Sequence, residues 1–414
     1  MQEQITLLEN KRIVLGVTGS IACYKAVDLA SKLTQAGLYV DVVMTEAAQR
    51  FVAPLTFQAV TGRPVYTDLW QTDASGGLPT HIAHVGLAES ADVLAIIPAT
   101  ADVLARLATG RADDLLCVTA LAARCPLVIA PAMDGSMYAH PAVQANVETL
   151  RARGAMIVEP EEGRFASGLT GKGRLPETPA LMGALRLALA PKGALAGQHV
   201  VVTAGGTREP LDPVRYLTNR SSGKQGYALT QAALDAGARV TLITTARLPD
   251  PVGAEIVRVD TAAQMLDAVL AATAQADVLI MAAAVADFRP RTVAGDKIKK
   301  SELNADAPTL ELERTADILA AVKTQRAATG FPRVAVGFAA ESRDLLTYAR
   351  DKMQRKGVDL LVANDISASD AGFDVETNRV IILDAHGGQE GLDLMSKARV
   401  SEAVIARVGV LLQR

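Results

Sequence analysis

One pattern limits the fold of this chain more than any other feature: a buried strand, a glycine-containing turn, a helix and a second strand follow each other directly. An apolar run at 13–17 leads into Thr18-Gly19-Ser20, a predicted helix from Ile21 to Ala36 and a predicted strand from Val40 to Met44. Gly37 gives the helix its stop. Strands that alternate with helices in this way are typical of a parallel sheet covered on both faces.

The same pattern begins again after the break at 190–193. The second copy has a strand at 199–203, a helix at 223–236 and a strand at 240–244. Further buried strands of the first copy are predicted at 93–97, 127–130 and 156–158. We therefore predict an α/β protein with two doubly wound, Rossmann-like domains and mainly parallel sheets, at residues 1–190 and 191–414.

Composition restricts the classes of partner. The chain has 42 basic and 45 acidic residues, a net charge of -3, so no overall field attracts nucleic acid or an anionic membrane. The polar N-terminus and the lack of a long uncharged apolar run lead us to expect a cytoplasmic protein. Cys23, Cys117 and Cys125 show no CxxC spacing, which favours reduced structural thiols.

Small residues and hydroxyls cluster where the first domain's strands end. The turn at 16–20 opens a helix, so its N–H groups and Ser20 can hold a phosphate. The loops with Thr45 and with Pro98-Ala99-Thr100 would meet Gly19 and Ser20 at the same sheet edge and suit a flat ring system. The alternative is that a glycine turn at this place is structural only, since the GxGxxG fingerprint is absent.

Two histidines of the first domain, His81 and His84, are candidates to move a proton near neutral pH, and spacing alone leaves both open.

Four motifs of the first half together resemble the flavin-dependent cysteine decarboxylase family, over most of residues 11 to 176. They are Gly16 to Ala22, His84 to Ala88 with Ala91-Asp92, Pro98 to Asp102, and Pro131 to Asp134. The resemblance implies bound FMN, held by Gly19, Ser20, Thr45, Pro98, Ala99 and Thr100. It implies oxidation of a substrate thiol to a thioaldehyde, which accepts the electrons left by departing CO₂, and then reduction. It also implies His84 as the catalytic histidine, with His81 second.

The chain departs from that family at two positions. Asp134 stands where an asparagine is usual, and Ser167 stands where the family has a cysteine on a loop. An ionised Asp only accepts hydrogen bonds, and Ser is a weaker acid than Cys. We expect Asp134 and Ser167 to belong to the catalytic site, with Ser167 or water supplying the proton; an impaired decarboxylase half is the alternative.

The second half carries two cationic motifs. The long loop 203–215 follows a strand without entering a helix and leads to Asn219-Arg220-Ser221-Ser222-Gly223-Lys224, a second phosphate-binding layout at a helix start. Lys297-Ile298-Lys299-Lys300 is the other motif. It is either a solvated charge run or, near Asp287, a means of neutralising a triphosphate. Lys352 and Lys356 share one helix face and extend such a site or are simply exposed.

These strings closely resemble the CTP-dependent phosphopantothenate–cysteine ligases from about residue 198 to 385. The resemblance implies activation of a carboxylate as an acyl-cytidylate with release of pyrophosphate, followed by attack of the cysteine amine and release of CMP. Asn219 would hold the acyl-cytidylate and Lys297 would act in its formation or cleavage. CTP contacts are implied for Met281, Ala282, Ala283, Asp287, Lys297, Thr315, Ala316, Asp317, Ile318, Phe338, Lys352 and Lys356. Mg²⁺ is expected with the triphosphate, without a protein cage of its own.

A decarboxylase half followed by a ligase half is typical of the bifunctional enzymes of coenzyme A biosynthesis, and the chain resembles that family. The resemblance implies the small-molecule substrates 4′-phosphopantothenate, cysteine and CTP, and a homo-oligomer in which ligase dimers and decarboxylase trimers combine into a dodecamer. Two other classes remain as alternatives: a non-catalytic flavoprotein scaffold, and a pyridine-nucleotide oxidoreductase, which the missing GxGxxG disfavours.

Overall fold

The structure is a computed structural model of the chain and describes residues 6–70, 83–165, 168–299, 309–341, 345–365 and 375–413. The chain divides into two compact units, Met1–Pro191 and Lys192–Arg414. Each unit has its own central sheet.

The first unit alternates strands and helices along most of its length. Its elements are β1 (Arg12–Val17), α1 (Cys23–Gln35), β2 (Tyr39–Met44), α2 (Glu46–Gln49), α3 (Pro54–Thr61), β3 (Val65–Tyr66), α4 (Ala83–Ser90), β4 (Val93–Ala99), α5 (Ala101–Thr109), α6 (Leu115–Ala122), β5 (Leu127–Pro131), α7 (Gly135–Tyr138), α8 (Pro141–Ala152), β6 (Met156–Ile157), β7 (Glu161–Arg164), β8 (Thr170–Arg174) and α9 (Thr178–Leu189).

Six parallel strands form its sheet in the order β3-β2-β1-β4-β5-β6. Every residue of β4 is buried, as are five of the six in β1, because helices cover both faces of the sheet. The chain runs outward from β1 in one direction and then from β4 in the other. A ligand crevice is expected at the carboxyl ends of these two strands.

The second unit repeats this architecture and extends it. Its elements are β9 (His199–Ala204), β10 (Arg208–Pro210), β11 (Tyr216–Thr218), α10 (Lys224–Asp235), β12 (Arg239–Thr244), β13 (Ala254–Arg258), α11 (Ala262–Thr273), β14 (Val278–Met281), β15 (Phe288–Pro290), β16 (Leu312–Arg314), α12 (Ile318–Thr329), β17 (Val334–Glu341), α13 (Leu345–Lys356), β18 (Leu360–Asp365), β19 (Thr377–Asp384), β20 (Gln389–Ser396) and α14 (Lys397–Leu412).

The eight strands of its sheet have the order β13-β12-β9-β14-β17-β18-β19-β20. The six strands from β13 to β18 are parallel, and β19 and β20 add an antiparallel edge. Two short antiparallel ribbons, β10–β11 and β15–β16, leave the sheet at the ends of β9 and β14. The predicted α/β class with mainly parallel sheets is confirmed.

One repeated sequence feature has the same role in both units. The Asp92 carboxylate accepts the N–H of Arg12 at 2.8 Å, and the Asp277 carboxylate accepts the N–H of His199 at 2.9 Å. Each aspartate precedes the strand that lies beside the first strand of its unit. The two Ala-Asp-Val-Leu segments therefore start the central strand pair of each sheet in register.

Candidate active sites

The first candidate site lies where β1 and β4 end. The Thr18 hydroxyl, with no exposed surface, donates to the Pro98 carbonyl at 2.7 Å and accepts the Thr100 N–H at 3.0 Å. Thr100 in turn caps α5, accepting the N–H of Val103. The buried Thr18 side chain thus joins the two loops that were predicted to hold a phosphate and a flat ring system.

The loop after β2 closes the same site. The Thr45 N–H donates to the Val17 carbonyl at 3.1 Å, and its hydroxyl caps α2. A Cβ atom on Gly19 would lie 2.5 Å from the Cβ of Ala47, so only glycine allows this approach. The Ser20 hydroxyl accepts the N–H of Ala22 and keeps its own hydrogen to donate. These features fit a phosphate bound against the turn.

The start of α1 differs from the prediction. The helix begins at Cys23 rather than at Ile21, because Ser20 accepts two backbone N–H groups before the helix starts. The Ser20 carbonyl accepts the N–H of Cys23, and the Ser20 hydroxyl accepts the N–H of Ala22. The extra residues form a turn, which leaves more backbone free of the helix at the crevice.

His84 lies in the first turn of α4. Its Nδ1 atom is buried and has no hydrogen-bond partner within the described ranges. A buried, unpartnered ring nitrogen is uncommon in a purely structural histidine and is suited to meet a ligand. His81, the other candidate, lies outside the described residues, as does Ser167.

Asp134 is held at the end of β5 by its own helix and by a neighbouring strand. It caps α7, with its carboxylate accepting both the N–H and the hydroxyl of Ser136. The Met133 N–H donates to the Gly173 carbonyl at 3.0 Å, and a Cβ on Gly173 would lie 2.3 Å from the Met133 oxygen. Strand β8 of the β7–β8 hairpin is therefore packed against the Asp134 segment.

A charged cluster beside this hairpin was not predicted from the sequence. Glu159 accepts hydrogen bonds from Lys172 at 2.7 Å, from Arg151 at 2.6 Å and from the hydroxyl of Tyr138 at 3.1 Å. Burial raises the pKa of Glu159, but these donors outweigh it and lower the pKa overall. Burial and the facing carboxylate raise the pKa of Tyr138 to about 12.

Three members of the cluster, Tyr138, Glu159 and Lys172, line one cavity of about 580 Å³ together with Asp134, between α7 and the hairpin. The cluster has no local sequence signal, because its four residues come from four separate segments.

The three cysteines are free thiols, with Cys23 and Cys117 buried. Burial raises the pKa of each, so they remain protonated at neutral pH.

In the second unit, one cavity of about 500 Å³ collects most of the residues predicted to bind CTP. We name it the α12 cavity, because the first turn of α12 forms one wall. The predicted residues that line it are Met281, Ala283, Asp287, Thr315, Ala316, Asp317, Ile318, Phe338, Lys352 and Lys356. Ala282 and Lys297 do not line it.

The wall at α12 is fixed by capping. The Asp317 carboxylate accepts the N–H of Ala320 and contacts the ammonium group of Lys356. Burial raises the pKa of Asp317, and the Lys356 contact and the helix N–H lower it by more. The Thr315 hydroxyl donates to the Ala286 carbonyl at 2.6 Å, which ties this wall to the loop after β14.

A second cavity of about 470 Å³, the α10 cavity, is lined by Asn219 and by the first turn of α10. Ala282 lies here. Gly223 adopts a φ of 80°, and a Cβ on it would lie 2.6 Å from that of Ala246. Asn219 donates from Nδ2 to the Val285 carbonyl at 3.1 Å. The backbone N–H groups at the start of α10 suit an anion.

The two cavities share four residues, Ala283, Asp287, Phe338 and Lys352. Two ligands that occupied them would meet at this junction, which lies at the carboxyl end of β14. This is the position at which strand order reverses in the sheet.

Lys297 is exposed and lies on a segment that Asp212 anchors. The buried Asp212 carboxylate accepts the N–H groups of Val214, Arg215 and Ile298 and the guanidinium of Arg215, which also donates to the Ile298 carbonyl. Burial raises the pKa of Asp212, but these hydrogen bonds hold it well below its usual range. Ile298, next to Lys297, is thus fixed to the loop of the β10–β11 ribbon through Asp212, a residue that the sequence analysis did not single out.

Buried polar side chains form the far wall of the α10 cavity. Asn364 and Asn378 are 8% and 4% exposed, and the Oδ1 atom of each has no partner among the described residues. Asn378 donates from Nδ2 to Gln225, which donates to the Ser401 hydroxyl at 2.9 Å and to the Lys397 carbonyl at 3.3 Å. The Lys397 carbonyl can only accept a hydrogen bond, so it identifies the nitrogen end of the Gln225 amide. The oxygen end of Gln225 then identifies Nδ2 of Asn378 as its donor, and the orientation of both side-chain amides is defined.

Among the described residues no group of three or more His, Cys, Asp or Glu side chains is arranged to hold a metal ion. Within the same ranges, no helix has the length and apolar character needed to cross a bilayer.

Comparison with known proteins finds a matching family model for each half of the chain. The flavoprotein family model matches residues 1–187, and the model of the DNA/pantothenate metabolism flavoprotein C-terminal domain matches residues 195–411. The coenzyme A biosynthesis bifunctional protein CoaBC of Bacillus subtilis is 46% identical over 409 residues, 98% of each chain. The protein of that name from Mycobacterium tuberculosis is 47% identical over 407 residues, 95% of each.

Among solved structures, the C-terminal domain of a coenzyme A biosynthesis bifunctional protein CoaBC covers 53% of this chain and 98% of its own, with 34% identity and a TM-score of 0.45. The family models and the full-length relatives together show that the chain belongs to the family of bifunctional coenzyme A biosynthesis proteins.

Proposed function

We propose that the chain converts 4′-phosphopantothenate, cysteine and CTP into 4′-phosphopantetheine, CO₂, CMP and pyrophosphate. The second unit ligates and the first unit decarboxylates. The junction between the α12 and α10 cavities carries the proposal, because it brings the residues expected to bind CTP beside Asn219 and an anion-binding helix start. Full-length relatives named for coenzyme A biosynthesis support it.

In the ligase step, CTP occupies the α12 cavity and 4′-phosphopantothenate the α10 cavity, with its phosphate at the start of α10. The substrate carboxylate attacks the α-phosphorus, and pyrophosphate leaves. Lys352 at the junction and Lys297 on its anchored segment neutralise charge that develops on the phosphorus. Mg²⁺ arrives with the triphosphate.

Asn219 then holds the acyl-cytidylate while the cysteine amine attacks its acyl carbon. The new bond is an amide, and CMP leaves with the electrons of the broken mixed-anhydride bond. Asn219 is suited to this role because Nδ2 is already oriented by the Val285 carbonyl and its Oδ1 atom is an acceptor for an incoming amine.

In the decarboxylase step, the loops joined by Thr18 would hold FMN through Gly19, Ser20, Thr45 and Thr100. Bound FMN supplies a reversible two-electron oxidation of the substrate thiol. His84 exchanges a proton with the substrate at its buried, unpartnered Nδ1 atom. Asp134 positions the substrate from the end of β5, and Ser167 or water returns the proton after CO₂ has left.

We also propose the assembly. The two ribbons of the second unit expose apolar surface, which supports a dimer formed there. The exposed side chains are those of Val214, Tyr216, Leu217, Phe288 and Leu312. Apolar surface is also exposed around the proposed FMN loops, which supports a trimer of first units. The side chains there are those of Ile21, Tyr24, Phe51 and Leu55. Dimers and trimers combine into a dodecamer in the cytoplasm, where CTP is available.

The test is mass spectrometry of the products formed by the purified chain with 4′-phosphopantothenate, cysteine, CTP and Mg²⁺. We expect 4′-phosphopantetheine. If 4′-phosphopantothenoylcysteine accumulates instead, the decarboxylase half is impaired by Asp134 and Ser167, and if neither product forms the proposal is refuted.

Single substitutions separate the halves. Lys297→Ala should stop CMP formation and leave bound flavin unchanged, whereas Lys192→Ala, at an exposed lysine of the same unit that lines neither cavity, should ligate normally. His84→Ala should ligate but not decarboxylate, and His81→Ala should do both; the reverse result would move the role to His81.

A further inference from the structure

The α12 cavity has one cationic side chain that the motifs do not include, Arg314. It is the last residue of β16 and directly precedes the Thr315 wall. Within the described ranges, Arg314 makes no hydrogen bond or ion pair from its guanidinium.

The other arginines of the same ribbon are neutralised by its glutamates. Arg289 pairs with Glu313 at 2.8 Å, and Arg291 pairs with Glu311 at 2.9 Å. Arg314 instead lies opposite Phe288 in the β15–β16 register, and both of these residues line the cavity. Since side chains alternate along a strand, the paired glutamate at 313 points to the other face. Among the carboxylates of the ribbon that the structure describes, none therefore pairs with Arg314.

The charges in the cavity leave a place for this cation. Asp287 and Asp317 are its carboxylates, and Lys356 is already in contact with Asp317. A nucleoside triphosphate carries several negative charges, and a guanidinium binds two phosphate oxygens at once in a planar arrangement. Because Arg314 is exposed, it turns toward such a ligand with little loss of solvation.

We infer that Arg314 is a phosphate-binding residue of the nucleotide site, pairing with the β- and γ-phosphates of CTP and then with departing pyrophosphate. This inference rests on the proposed function, which places CTP in the α12 cavity. It adds a specific contact to the triphosphate, which distinguishes CTP from CMP.

The test compares the full-length Arg314→Met variant with a matched control, Arg291→Met, which removes an arginine of the same ribbon that is paired and lies outside the cavity. Affinities for CTP and for CMP are measured by calorimetry without Mg²⁺, so that the metal does not replace the lost charge. We expect Arg314→Met to weaken CTP binding about tenfold, the loss of one charge-assisted contact at an exposed site, and CMP binding less than twofold. Arg314→Lys should retain most of the CTP affinity, and Arg291→Met all of it.

Each other outcome has a definite meaning. Unchanged CTP affinity in Arg314→Met overturns the inference, and so does equal weakening of CTP and CMP, since that would place the contact at the base, sugar or α-phosphate. If the wild-type chain itself binds no CTP, the proposed function fails together with the inference. Melting temperatures of the variants, measured without nucleotide, should agree, and a lower value for Arg314→Met alone would mark a structural role.

Discussion

Replacing Thr18 by valine tests whether one hydroxyl holds the proposed FMN loops together. Valine has nearly the same shape, so the change removes two hydrogen bonds and leaves the packing of this fully buried position in place. The Pro98 carbonyl and the Thr100 N–H then lose their partner between β1 and β4. A buried polar group left unpaired costs about 1–3 kcal/mol, so the two together cost about 2–6 kcal/mol.

For a unit of this size, each kcal/mol lowers the melting temperature by about 2–4 °C, which predicts a decrease of roughly 5–20 °C. The assay is the release of FMN on heating, followed by flavin fluorescence, because it reports on the first unit alone. The affinity for FMN should fall as well, since the two loops no longer have a fixed spacing.

Thr119→Val is the matched control. Thr119 is equally buried, but its hydroxyl donates to the Leu115 carbonyl, which the helix already uses as an acceptor. Its loss should cost less than about 1 kcal/mol. If Thr18→Val and Thr119→Val lower the temperature of flavin release equally, the argument that Thr18 joins the two loops is wrong.

Three further predictions concern other contacts. Gly173→Ala should displace the β7–β8 hairpin, because the added Cβ meets a backbone carbonyl at 2.3 Å. This variant should lose decarboxylation and keep ligation. Gly163→Ala is the control and should remain active in both product assays, because its added Cβ meets only a flexible arginine side chain. Asn378→Asp places a carboxylate oxygen against the Gln225 carbonyl oxygen and should lower the free energy of unfolding by about 1–3 kcal/mol. The measurement is urea denaturation, with Asn378→Ser for comparison. Asp212 has a lowered pKa, so its contribution to stability is present above about pH 4, the unfolded value, and is lost as pH falls further. The difference in urea midpoint between wild type and Asp212→Asn should therefore be full at pH 7 and shrink below pH 4, and a constant difference would contradict this.

The sheets could be predicted from the sequence because their signal is local. Apolar runs such as 93–97 and 199–203 are long enough for a buried strand, and Gly37 and Gly237 end helices with φ of 94° and 85°. Parallel strands that end at the same edge also allowed the loops with Ser20, Thr45 and Thr100 to be placed together.

The contacts that hold the sites have no such local signal. Thr18 and Pro98 are 80 residues apart, and Asp212 and Ile298 are 86 apart. Threonine and aspartate are common in loops, and only the folded chain shows which partner each one meets. The Glu159 cluster and the Asn378–Gln225 chain were missed for the same reason. The catalytic roles of His84, Asp134, Asn219 and Lys297 remain predictions.

The wall shared by the α12 and α10 cavities has a consequence for steady-state kinetics. Ala283, Asp287, Phe338 and Lys352 belong to both cavities. A change at any of them should alter the Michaelis constants of CTP and 4′-phosphopantothenate together, and saturation with one substrate should shift the apparent constant of the other. Arg314 lies in one cavity only and Asn378 in the other, so substitutions there should alter one constant each. The Michaelis constants of such variants therefore report the order in which CTP and 4′-phosphopantothenate bind.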